Sequence, residues 1–146
     1  MKTVGSDIRC DWLKLMYAYT IIGAGLLGLG MVVAPNFVIS TFGWPLQDPV
    51  VLGVVGSVYI AFGLLSILGL RSPLKFVPVL FLQLFYKTIW FLGVALPLVM
   101  KGQFPVHGYV FAAIFLSYII GDLIAIPFSY IFGKDMVTTG TNVVTD

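Results

Sequence analysis

Long apolar runs alternate with short polar punctuation along this chain, and none of the runs alternates in polarity residue by residue. Four runs are long enough to cross about 30 Å of hydrocarbon, which takes about 20 helical residues. They cover residues 15–34, 50–70, 76–100 and 109–132. Strands of a membrane barrel alternate over about 10 residues, so helices are the reading for all four. The expected fold class is all-α, a four-helix transmembrane bundle forming a single integral membrane domain over residues 1–146.

The connectors carry the signals that end and restart helices. Pro35 and Asn36 close the first run, and Gly43, Trp44 and Pro45 break the chain again. Asp48 before Pro49 reads as an N-cap followed by a first-turn proline. Residues 36–42 are short and mostly apolar, which suits the membrane interface. Arg71, Ser72 and Pro73 predict a tight turn, as do Lys101 to Pro105. The Thr-rich tail, 135–146, reads as loose.

Basic residues set the expected orientation. Lys2, Arg9, Lys14, Arg71, Lys75 and Lys134 fall on one side of a four-span chain, against Lys101, with His107 beside it, on the other. Both termini are therefore expected to be cytoplasmic. Trp12, Tyr17, Trp44, Tyr109 and Tyr130 fall near span ends, as an aromatic belt would. Val32, Val33 and Ala34 resemble a signal-peptide cleavage site, but the following Pro35 argues against a cut.

Composition agrees with a membrane chain: 60% of the 146 residues are hydrophobic, 10% are charged, and mean hydropathy is +1.05. A net charge of +2 gives no reason to expect a nucleic-acid partner. Expected partners are the lipid bilayer and a homo-oligomer or larger membrane complex. The first span holds Gly23, Ala24, Gly25, Gly28 and Gly30. In the second, Gly53, Gly56, Ser57, Ile60 and Gly63 fall on one expected stripe, which predicts close packing of these two helices.

Two charges remain inside the spans, Lys87 and Asp122. Lys87 lies 14 residues before Lys101, and Asp122 lies 15 residues after His107. At 1.5 Å per residue both sit roughly 21–22 Å from the same surface, on helices that a short turn makes neighbours. A direct Lys87–Asp122 ion pair is expected. Gln83, Lys87, Trp90 and Val94 share one helical face with Tyr86 alongside, and Tyr118, Asp122, Ala125 and Ser129 share another. Pro127 cannot donate to the carbonyl of Leu123, one residue from Asp122. The candidate ligand-binding residues are Tyr59, Gln83, Tyr86, Lys87, Trp90, Tyr118 and Asp122. Either the pair only fixes helix register, in an accessory or scaffold subunit of a membrane complex, or it organises a site for a quinone- or lipid-like molecule, or the two do not meet and one of them contacts a partner subunit. A further reading makes Asp122 an acid–base catalyst with Lys87 tuning it.

Other membrane chemistries lack their residues. His107 is the only histidine and lies at a span end, so bis-histidine haem and histidine-box di-iron sites are excluded. Cys10 is the only cysteine, which excludes paired-thiol redox chemistry and claudin-like disulfides. Glutamate is absent, unlike in small multidrug exporters. A retinal-type Schiff base on Lys87 meets a cramped four-helix cage. No haem or metal signature is present, and the cofactor stays unassigned, with quinone one candidate.

Met31 to Pro35 after a Gly-rich span, then Phe42, Gly43, Trp44 and Pro45, then Gly56 and Ala61 to Leu64 form a familiar succession. Residues 15–70 thereby resemble the DoxX-like superfamily of small four-helix membrane proteins. The resemblance implies the fold, and some members are linked to quinone or thiol oxidoreductase assemblies. It implies no catalytic residue, because no catalytic motif is matched.

Overall fold

Buried positions on the first helix recur at Leu13, Met16, Tyr17, Thr20, Ala24, Gly28 and Met31, the three-and-four spacing of one helical face. That face belongs to α1, Cys10–Val33, in a computed structural model that describes residues 9–132. Every element among the described residues is helical. After α1 come α2, Pro35–Phe42; α3, Pro49–Arg71; α4, Pro73–Met100; α5, Val106–Ala125; and the short α6, Phe128–Ile131. Helices α1, α3, α4 and α5 are long and apolar enough to cross a membrane. Lys2, Lys134 and the tail at 135–146 lie outside the described residues.

Local chemistry accounts for the breaks. Asp48 caps α3, its carboxylate accepting from the backbone N–H groups of Val50 and Val51 at 2.9 Å. Gly43, with φ +62°, takes the left-handed conformation that closes α2. The fourth long helix stops at Ala125 rather than running to 132. Pro127 disfavours helical geometry at Ile126, which is extended (ψ 122°). Arg9 lies beside this break, where the last carbonyls of α5 favour a cation.

Two π-turns interrupt the long helices, at Ile21–Gly25 in α1 and Phe91–Ala95 in α4. The second lies just before Pro97, whose missing N–H would strand a carbonyl one turn back; local π geometry is a known accommodation. Such a turn inserts an extra residue and rotates the remainder of the helix about its axis. Hence Ala95 is buried and Val94 exposed, so Val94 leaves the face of Gln83 and Lys87 expected for it.

The closest packing joins α1 to α3. A Cβ on Gly28 would meet the Gly56 carbonyl oxygen at 2.6 Å, and one on Gly63 would meet the Gly25 Cα at 2.8 Å. Such backbone proximity between apolar helices brings many atoms into van der Waals contact. The seam differs from the expected stripe in two members. Gly53 has nothing within 4 Å of a built Cβ, and Ser57 is exposed, its hydroxyl turned back to the Gly53 carbonyl. Gly56, Gly63, Ser66 and Gly69 carry the seam instead.

Tyr17 is not a belt residue. It is fully buried against Gly69, and its hydroxyl donates to the Pro73 carbonyl at 2.7 Å. This contact ties the start of α1 to the α3–α4 turn, which places Arg9, Lys14, Arg71 and Lys75 at one end of the helices. Helix α5 packs on α4 and α1, whereas α3 and α4 meet mainly near their shared turn and diverge beyond it.

Candidate functional site

The divergence of α3 from α4 opens a cleft of about 460 Å³. Its α3 wall is Val54, Val55, Val58, Tyr59 and Phe62. Tyr86 and Trp90 of α4 face them, and Phe111 and Phe115 of α5 form the back. Val54 and Val58 are also exposed on the apolar outer surface, so the cleft opens sideways between the two helices. Toward the α2 end it continues into a second space of about 330 Å³ that reaches Gln47 and His107. Trp44 lies between them, its ring 5.5 Å from Phe42 and 5.2 Å from Phe111.

Tyr59, Tyr86, Phe111 and Phe115 also line an inner chamber of about 190 Å³, so the cleft and the chamber share an aromatic wall. Lys87 lines it, along with Tyr19, Gly23, Ala24, Phe115 and Tyr118. Rings surround this lysine. Its Nζ lies 4.1 Å from the Tyr118 ring centroid, 4.5 Å from Tyr86 and 5.7 Å from Phe115. Such faces stabilise an ammonium by about 0.5–2 kcal/mol each, more when desolvated.

Polar groups behind the chamber orient these rings and the lysine. Lys87 donates to Gln83 Oε1 at 3.0 Å, and Gln83 Nε2 donates to Thr20 Oγ1 at 3.0 Å. The Thr20 hydroxyl is 2.8 Å from the Met16 carbonyl, which it bonds as a donor. The Tyr118 hydroxyl donates to the Tyr19 carbonyl at 3.0 Å, next to the π-turn of α1. Gly23 leaves the room this hydroxyl needs, since any Cβ there would collide with it.

The expected direct Lys87–Asp122 ion pair is not formed. Asp122 is fully buried, but neither carboxylate oxygen meets a hydrogen-bond donor among the described residues, and Lys87 turns to Gln83 instead. Level placement of the two groups requires unbroken α-helix between Lys87 and Lys101. The π-turn at Phe91–Ala95 adds a residue there, so a uniform rise of about 1.5 Å per residue does not hold between them. Ser66 carries another fully buried hydroxyl without a partner among the described residues.

Of the seven candidate residues, Tyr59, Tyr86, Lys87, Trp90 and Tyr118 line the cleft or the inner chamber. Gln83 stands one layer behind as the acceptor for Lys87, and Asp122 lines neither the cleft nor the inner chamber. Phe111 and Phe115 are missing from the expectation, although they precede Tyr118 and Asp122 at spacings of four, three and four on the same face of α5. Ser129, placed on that face by its spacing, lies beyond the Pro127 break. No group of three or more His, Cys, Asp or Glu residues able to hold a metal occurs among the described residues. No family model, curated protein or solved structure matches this chain.

Proposed function

We propose that this chain is an integral membrane protein, a four-helix transmembrane bundle with both termini cytoplasmic, that binds a hydrophobic or amphipathic small molecule of quinone or lipid type. One observation carries the reading: an aromatic cleft of about 460 Å³, open to the apolar surface, shares an aromatic wall with a chamber lined by a buried lysine. Ligand sites typically combine apolar and aromatic walls with a few placed polar groups at this scale of volume. A buried charge that serves packing alone has no need of an adjoining chamber, whereas intramembrane ionisable groups commonly mark functional sites. The DoxX-like resemblance of residues 15–70 is compatible with this reading as kinship of fold. Asp122 stands outside the cavities, so its placement gives no support to acid–base catalysis on a molecule held in the cleft.

Purified protein in detergent, titrated with a decyl-substituted benzoquinone, tests the proposal. Trp44 and Trp90 line the cleft, so their fluorescence is expected to fall along a saturable curve. Val58→Phe narrows the mouth from a half-exposed position without touching the core, and is expected to weaken binding roughly tenfold. Linear, unsaturable quenching, unchanged by Val58→Phe, would refute the reading.

A further inference from the structure

We infer that the bound molecule enters head first from the bilayer between α3 and α4, and that its head is a neutral carbonyl acceptor. This deepens the binding function proposed above and rests on it. Three features of the inner chamber carry it.

The first is unspent donor capacity. A protonated lysine has three N–H donors. Among the described residues Gln83 Oε1 is the one acceptor that Lys87 Nζ reaches, and Lys87 is a lining residue of the chamber. An acceptor atom on a ligand head would meet donors already held in place by Gln83 and Thr20.

The second is charge. Lys87 and Asp122 are the two charged residues buried among the described ones, and their opposite signs leave the bundle interior near neutrality. An added carboxylate would bring an uncompensated negative charge into a place walled by aromatic rings, which is strongly unfavourable. A ketone, ester or quinone oxygen accepts the same hydrogen bond without that charge.

The third is shape. The chamber of about 190 Å³ has room for roughly six waters' worth of ligand, the scale of a single ring or short carbonyl group. The larger cleft beyond Tyr59 and Tyr86 passes Trp90 and opens past Val54 and Val58. A tail fits there, with its first carbons beside Trp90 and its end in lipid.

A single-tryptophan protein (Trp12→Phe, Trp44→Phe) makes Trp90 the reporter. The probes are a long-chain methyl ketone, the fatty acid and the alkane of equal length. The ketone and fatty acid are made with bromine either beside the head or at the tail end, the alkane at one end. Bromine quenches tryptophan on contact. Saturable quenching by the ketone is expected, strong with head-side bromine and weak with tail-end bromine. The fatty acid is expected to bind at least about tenfold more weakly, and the alkane likewise. Lys87→Met should weaken the ketone on the order of ten- to a hundredfold. Should that variant fail to fold, the comparison of ketone with alkane on the unmutated lysine still decides.

Stronger quenching from tail-end bromine, an alkane that binds as well as the ketone, or a fatty acid that binds better would overturn the inference while leaving a ligand-binding cleft. Absence of saturable quenching by every probe would overturn both.

Discussion

Replacing Asp122 with asparagine separates a contacting ion pair from the arrangement described here. Losing one partner of a contacting buried pair is destabilising by roughly 3–5 kcal/mol, because the other charge is left uncompensated. The carboxylate of Asp122 touches no donor among the described residues, and Lys87 is held by Gln83 and by three rings. Asp122→Asn removes a through-space attraction, at most about 4 kcal/mol at 4 Å with an effective dielectric of 20 and less with distance. It also removes the desolvation penalty of a buried carboxylate, several kcal/mol of opposite sign. The two nearly cancel, so a change within about 1 kcal/mol is expected. Gln83→Leu deletes the acceptor for Lys87 and the donor to Thr20. A hydrogen bond to a charged group contributes about 1.5–3 kcal/mol and a neutral one about 1, so a loss of about 2–4 kcal/mol is expected. Equilibrium unfolding in mixed micelles of increasing sodium dodecyl sulfate, followed by tryptophan fluorescence, reads both. A loss of about 3 kcal/mol or more for Asp122→Asn, with less than about 1 for Gln83→Leu, would sink this reasoning.

The α1–α3 seam makes a matched pair of predictions. In Gly28→Ala the new methyl would sit 2.6 Å from the Gly56 carbonyl oxygen and 2.8 Å from the Ile60 nitrogen, so destabilisation of about 2–3 kcal/mol is expected. Gly53→Ala on the facing helix meets nothing within 4 Å and should be neutral or stabilising by up to about 1 kcal/mol; equal unfolding midpoints for the two would refute the seam. Tyr17→Phe removes one interhelical hydrogen bond of 2.7 Å, for an expected loss of about 1 kcal/mol in the same unfolding assay, with benzoquinone affinity unchanged. Cys10 is exposed at the start of α1, so a membrane-impermeant maleimide should label it only after the cells are permeabilised. Labelling in intact cells would reverse the proposed orientation.

Signals for the long helices are local and therefore legible. Four apolar runs, the Asp48 cap and the prolines at 35, 49 and 73 act on their own neighbourhoods, and hydropathy needs no partner to be read. Pro127 announces its own break, and the span overshoots to 132 only when the apolar run is followed past that proline. The π-turns are less legible, yet Pro97 inside an apolar run is a sign that a helix must adjust nearby. Treating that segment as plain α-helix keeps Val94 on the wrong face and brings Lys87 level with Asp122, in a contact the structure does not form. Tyr17 is hard to place for a related reason: position near a span end suggests an interface, but only the packing of Gly69 shows that the ring has somewhere to go.

The candidate site is half legible because its polar members stand out and its walls do not. Lys87, Gln83 and the tyrosines are conspicuous in an apolar chain. Phe111 and Phe115 are anonymous there until the stripe of Tyr118 and Asp122 is carried back toward the start of α5. No local rule gives the cleft itself, because it arises from two unequal contacts made by α3. Glycines hold α3 against α1 at backbone distance. Against α4, bulky Tyr59, Phe62 and Tyr86 keep the helices apart beyond the turn, with Phe62 and Tyr86 ring centroids 5.6 Å apart. Tight packing on one face of α3 and aromatic spacing on the other make the opening a consequence of the fold, not a defect in it. The same logic explains why the lysine can stay buried. Its stem is fixed by Gln83 and its charge is spread over three rings, so its remaining donors can face the chamber while the helices around it stay packed.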